Sequence, residues 1–217
     1  MTSLQRGDHF GHWMNDRCGK LTGSRMSSAM AYLKAKKDGE KTDKAERRSL
    51  KVEILAERLT GDIVTKYTTA AMNWGTEQEP AAKAAYELET GRLVTEVGFV
   101  DHPTIEFLGA SPDGLIGSNG LIEIKCPTTS THLETIISGE IPTQHYPQMI
   151  LQVACCAGRE WVDFVSFDPR VDERFQLFVR RFYPTKEQIA EVEAEAVQFL
   201  AEVDAMFQIL TTRELIE

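Results

Sequence analysis

No stretch of the sequence is apolar over the roughly 20 residues a bilayer-crossing helix needs, which excludes a helical membrane protein. The opening residues, "MTSLQRGDHFGHWMNDRCGK", lack the apolar heart of a secretory signal, so a cytoplasmic protein with no membrane partner is expected. Cysteine is scarce. The four present (Cys18, Cys126, Cys155 and Cys156) form no CxxC pair, and two are adjacent. That spacing suits neither a disulfide framework nor zinc, and it excludes a cluster-bearing nuclease; the four read as small buried hydrophobes. Positive charge is also short. With 24 Lys and Arg against 33 Asp and Glu the net charge is −9, which argues against a protein that coats nucleic acid by bulk attraction. Internal repeats and low-complexity tracts are absent.

What remains is ordinary for a globular chain. At 217 residues, 42% hydrophobic and 26% charged, it can bury one substantial core, and a single domain over 1–217 is expected. The charge is unevenly placed. Residues 34–51 hold eight Lys or Arg against four acids, and residues 186–204 hold one against six. The plain reading of both is solvated helix surface; the basic segment is also a candidate for contact with a nucleic-acid backbone.

Periodicity predicts helices over about 17–91, a sheet core over about 92–182 and a closing helix over about 185–210. The first helix runs from Thr22, Gly23 or Ser24 to about Lys37. The second spans about Lys44 to Leu59, with Leu50, Ile54, Leu55 and Leu59 inward and Gly61 as terminator. A third spans about Thr76 to Thr90, with "TEQEP" in its first turn and Gly91 at its end. Then come short β-branched and aromatic runs: "RLVTEVGFV", "IEFLGAS", "GLIEIK", "WVDFVSF" and "RFQLFVRRF". A helix over "QHYPQMILQVACCAG" interrupts them, and a Thr185–Gln188 capping box starts the last helix, whose stripe is Ile189, Val192, Phe199, Val203, Met206 and Leu210. The fold class is mixed α/β, a central mostly antiparallel or mixed sheet flanked by helices.

Residues 111–127, "SPDGLIGSNGLIEIKCP", hold the chemistry. A "PDG" alone is a turn, and an ExK alone is a wet strand edge. Together, Asp113 and Glu123 bring two carboxylates into one hairpin, a costly arrangement unless a hard cation lies between them. Magnesium keeps waters that can attack a phosphodiester, and Lys125 can orient one or offset phosphate charge. Geometry sets a condition. A regular four-residue loop over Gly117–Gly120 would turn Asp113 away from Glu123, so the chemistry predicts an odd loop or a bulge. Glu79 is the candidate third carboxylate, with Glu57 behind it; the plain alternative for Glu79 is a first-turn carboxylate facing the helix dipole.

These residues resemble the PD-(D/E)xK nucleases, in particular the lambda-exonuclease or YqaJ-like viral recombinase family. Other motifs agree in order: "RCGKLTGS" at 17–24, "LAERLTG" at 55–61, "WGTEQEPAA" at 74–82, and "YPQMILQV" followed by "WVDFVSFDPR". The resemblance covers about Arg17 to Phe182. It implies a restriction-endonuclease-like core and a magnesium-dependent exonuclease (manganese substituting) that digests one strand of duplex DNA from a 5′ end. A 3′ overhang would be left for a single-strand annealing partner, in a bacterial host cell and of phage or prophage origin. On this resemblance Asp113, Glu123 and the Ile124 carbonyl bind metal, and Lys125 serves the attacking water. Glu79 completes the metal site or binds that water, and Gln148 lies on the active-site helix. Arg17 and Ser24 hold the terminal phosphate; the plain alternative for Ser24 is an N-cap. Ring-shaped homotrimers occur in that family. Two departures bear on helix register: Ile150 stands where a second Gln is usual, and "CCAG" is one residue longer than the usual Thr-Gly end. A structure-specific or nicking endonuclease uses the same chemistry, and a non-catalytic DNA-binding module is the reading from a different class.

Overall fold

The hydrophobic period switches from helical to alternating near Gly91, and the elements follow it. The computed structural model describes residues 16–33, 41–64 and 69–212. Strand β1 (Leu21–Thr22) leads directly into helix α1 (Gly23–Ala29), then α2 (Ala45–Thr60) and α3 (Ala70–Thr90). Next come β2 (Val94–Thr95), β3 (Val100–Asp101), β4 (Leu108–Ala110), β5 (Gly114–Ile116) and β6 (Gly120–Lys125). Helices α4 (Thr129–Ser138) and α5 (Tyr146–Cys155) precede β7 (Trp161–Phe167) and β8 (Leu177–Phe182), and α6 (Lys186–Thr211) follows. No helix among the described residues is long and apolar enough to cross a membrane.

The strands form a five-stranded sheet, in the order β2-β5-β6-β7-β8, and a three-stranded one, β1-β4-β3. The larger sheet is mixed: β6 and β7 are parallel, and its other pairs are antiparallel. The expected mixed α/β fold is present. "RLVTEVGFV", read as one strand, is shared between the two sheets through β2 and β3.

Alternation along β6 decides which layer each side chain enters. Ile122 and Ile124 pack with Ala82 and Tyr86 of α3 and with Trp161, Val165 and Phe167 of β7. Leu121, Val162 and Phe164 enter the other layer, with Met26 of α1, Ile54 of α2, Met149 of α5 and Phe199 of α6. Each such fully buried side chain contributes about 1.5–3 kcal/mol, so a one-residue slip of β6 is strongly opposed. Glu123 and Lys125 alternate with the isoleucines and face α5.

Helix ends agree with the sequence where a glycine or a capping box marks them. Gly61 and Gly91 close α2 and α3 in the left-handed conformation, and Thr185 and Gln188 cap α6 reciprocally. Other expectations need correction. Helix α3 starts at Ala70, capped by the Thr69 side chain on the Met72 N–H. "TEQEP" therefore lies inside the helix, and Pro80 removes the N–H that the Thr76 carbonyl would use. Helix α4 was not foreseen: its run of Thr and Ile reads as strand or loop, and only Thr128 and Gly139 signal its ends. Helix α1 stops at Ala29, and positions 34–37 of its expected extension lie outside the described residues. Leu59 and Leu210, expected inward, are half exposed; Ala196 and Leu200 complete the α6 stripe.

Candidate active site

The β5–β6 register pairs Ile116 with Gly120, Leu115 with Leu121 and Gly114 with Ile122. Three residues, Gly117–Asn119, are left in the loop, and Gly117 takes a left-handed φ of 52°. The loop is odd. The ladder ends at Gly114 and Ile122, and just beyond it the Asp113 carboxyl lies close enough to Glu123 to feel its charge. The Asp113 N–H donates to the Ile122 carbonyl at 3.2 Å, and its Oδ2 accepts the Ile124 N–H at 2.6 Å. The preceding Pro112 has no N–H to extend the ladder, and the Ile124 N–H is taken by the Asp113 carboxylate.

Glu123 is fully buried, unlike a residue on a wet hairpin face. Lys125 forms an ion pair with one of its carboxylate oxygens, and the Gln152 amide donates to the other. Burial, then the Glu123 charge, pushes the Asp113 carboxyl well above its ordinary value, against the pull of Lys125 and the Ile124 N–H. Burial and Glu123 also raise the Glu79 carboxyl. Burial opposes the Lys125 ammonium, but Glu123 and Asp113 outweigh it and hold the proton on. Repulsion between the buried carboxylates is the state that a hard cation relieves. Among the described residues no three His, Cys, Asp or Glu side chains form a ready cage. The set around the hairpin is two carboxylates and a carbonyl, which suits magnesium because that ion retains several waters, and manganese shares the preference for oxygen. The residues present fit such an ion, while Glu79 stands outside a closed three-carboxylate cage.

A cavity of about 570 Å³ collects the rest. Glu79, Asp113, Lys125 and Gln148 line it, as do Arg17 and Ser24, so residues far apart in sequence share one space. Glu123 reaches it through Lys125 and Gln152. Gln152, Ser111 and Lys83 also line the cavity and were not singled out from sequence. The signal for Gln152 was legible: Gln148 and Gln152 lie at i and i+4 on an otherwise apolar helix, hence on one face. Ile150, the departure from the family pattern, is buried in the core. Gln152 Oε1 and Ser111 Oγ are buried without a hydrogen-bond partner, at a typical cost of about 1–3 kcal/mol each, which marks a wall built for a polar guest.

Arg17 Nη2 donates to Ser24 Oγ at 3.0 Å. Ser24 is not the cap of α1; Thr22 holds that position, without a side-chain capping bond. Glu57 requires correction as a candidate for the metal site. Its buried carboxylate receives two Arg25 N–H groups, at 2.6 and 2.9 Å, and the Gly19 N–H at 3.0 Å. The basic segment also changes meaning. Residues 34–40 lie outside the described residues, and the described part is engaged internally. Lys41 pairs with Glu195, while Arg47 and Lys51 pair with Asp43 and Glu202. The basic and acidic segments thus meet each other across α2 and α6.

Residues 12–160 match the YqaJ-like viral recombinase domain. Among solved structures, the alkaline exonuclease LHK-Exo from Laribacter hongkongensis is 46% identical, with a TM-score of 0.82 over 93% of this chain and 96% of that one. LHK-Exo in complex with dAMP gives 46% identity and a TM-score of 0.83 over 92% and 95% of the two chains. A phage-related exonuclease from Haemophilus somnus 129PT shares the fold, with a TM-score of 0.64 at 14% identity over 91% of this chain and 99% of that one. No curated protein matches. The family match spans more than half of the 217 residues, and the chain belongs to the YqaJ-like viral recombinase family.

Proposed function

We propose that the protein is a divalent-metal-dependent DNA exonuclease that degrades one strand of a linear duplex from its 5′ end and leaves a 3′ overhang. The observation that supports this is a single cavity lined by Glu79, Asp113, Lys125, Arg17 and Ser24, with Lys125 paired to the buried Glu123. Membership of the family supports it, as does the 46% identity to an alkaline exonuclease crystallised with dAMP, the kind of mononucleotide that end-wise digestion releases.

In this reading Asp113, Glu123 and the Ile124 carbonyl hold the ion. When bound, magnesium lowers the pKa of its water and takes up charge on the phosphodiester oxygen. Lys125, kept protonated by Glu123 and Asp113, orients the attacking water and offsets charge on the phosphate. Glu79 accepts a hydrogen bond from that water, and Gln148 lines the path of the scissile strand. Arg17 and Ser24 grip the terminal phosphate with a guanidinium fork and a hydroxyl. A strand-annealing protein would take the overhang in the cytoplasm of a bacterial host, and a ring-shaped homotrimer belongs to the same reading.

The test is digestion of end-labelled duplex with magnesium. Linear DNA with 5′-phosphate ends should be consumed from those ends, 5′-hydroxyl ends should react more slowly, and covalently closed plasmid should survive. Cutting of the closed plasmid would instead identify an endonuclease on this fold.

A further inference from the structure

The turn that carries Arg17 is held by a single residue. The Arg17 carbonyl accepts the Lys20 N–H at 3.2 Å, and between them Gly19 takes a left-handed φ of 69°. The Gly19 N–H donates to Glu57 Oε2 at 3.0 Å, and its carbonyl accepts from Arg58 Nε at 2.9 Å. Both grips come from consecutive residues in the last turn of α2. The fit is close: a Cβ on Gly19 would stand 2.8 Å from Arg58 Cγ. Helix α2 is itself anchored here, because Arg58 pairs with Asp204 of α6 and lies 4.1 Å from the centre of the Phe107 ring. The Phe107 carbonyl in turn accepts the Leu21 N–H at 2.8 Å, beside the start of α1.

Charge makes a second link. Arg17 and Arg25 share this corner; burial first, and then the Arg25 charge, disfavours the charge on Arg17. The Glu57 carboxylate, fully buried, takes Arg25 in a two-pronged pair, and Glu53 takes a further N–H. Removing the carboxylate would leave the Arg25 guanidinium with Glu53 as its remaining carboxylate partner, beside Arg17.

We propose that Glu57, together with Arg58, is a positioning residue for recognition of the DNA end. It fixes the Gly19 peptide so that the Arg17 guanidinium reaches over the cavity to Ser24, and it takes up the Arg25 charge, which would otherwise compete with Arg17 for the terminal phosphate. This rests on the reading of Arg17 and Ser24 as the phosphate pocket. Glu57 touches no reacting atom, so its effect should appear in discrimination between ends.

The test measures the rate on 5′-phosphate ends divided by the rate on 5′-hydroxyl ends, using the full chain with magnesium and linear duplex. Circular dichroism melting of each variant is followed in parallel. Arg17→Ala should bring the ratio close to one. Glu57→Gln, which keeps the size and removes the charge, and Arg58→Lys should lower it about tenfold or more, the scale on which ångström misplacement acts. An unchanged ratio in Glu57→Gln and Arg58→Lys, with Arg17→Ala collapsed, overturns the positioning role and leaves the pocket standing. An equal loss on both kinds of end also overturns it, since it marks a purely structural residue. An unchanged ratio in Arg17→Ala overturns the pocket itself. Should Glu57→Gln fail to fold, Arg58→Lys, which keeps its charge, decides.

Discussion

Glu123 has one carboxylate oxygen held by the Gln152 amide, while the other is in ion-pair contact with Lys125 and takes no hydrogen bond. In the proposed function this holds the carboxylate plane for the ion. Partners that hold a metal ligand in this way typically matter by 10- to 100-fold in affinity. Gln152→Leu should accordingly weaken magnesium binding by about that factor, measured calorimetrically on protein without DNA, with the fold retained. Unaltered affinity would show that Glu123 needs no such support. The polar atoms without a hydrogen-bond partner nearby, Gln152 Oε1 and Ser111 Oγ, suit the proposed function, in which a hydrated ion and a phosphate would use them.

At the scale of elements, α2 and α6 are joined by charge as well as by packing. Arg47, fully buried, reaches Asp43 and Glu202, and Lys51 reaches the same two carboxylates. Burial pushes the Glu202 carboxyl up, but its bonds to Arg47 and Lys51 outweigh this and hold it down, from 4.5 to about 2. A carboxyl held down in the folded state contributes stability that is complete above its unfolded pKa and is lost as pH falls through the folded one. Melting temperature should therefore drop between about pH 4.5 and 2, and Glu202→Gln should flatten that part of the profile while melting lower at neutral pH. A profile as steep as that of the unsubstituted protein would place the acid sensitivity elsewhere. Neither segment disclosed this partner in sequence, because ion pairing between residues about 150 positions apart leaves no local pattern. What could be read were local rules: glycine terminators, the Thr185 capping box, and the alternation that sends Ile122 and Ile124 one way and Glu123 the other. The start of α3 escaped because Pro80, usually a first-turn residue, lies in its interior; α4 escaped because its composition favours strand.

For the whole molecule, the fold brings residues from the α1 entry, α3, the β5–β6 hairpin and α5 to one cavity. In the proposed function the chemistry falls to the hairpin and end recognition to Arg17 and Ser24, on a separately anchored turn and helix start, so the two should be separable by mutation. The sequence alone stated a condition for bringing Asp113 beside Glu123, an odd loop or a bulge, and the connection has three residues. The anchoring of Arg17 through Glu57 was not legible there, because the partners Gly19 and Arg25 lie 38 and 32 residues away.

The account depends on two opposed carboxylates cradling a divalent ion so that its water opens a phosphodiester at the end of a DNA strand. The most direct measurement is the magnesium-dependent release of label from linear duplex by the Asp113→Asn and Lys125→Ala variants, with folding verified by circular dichroism. A fall of at least about a hundredfold in turnover is predicted for each, the scale of losing one essential electrostatic group. Near-normal release by a folded Asp113→Asn variant would contradict the assignment.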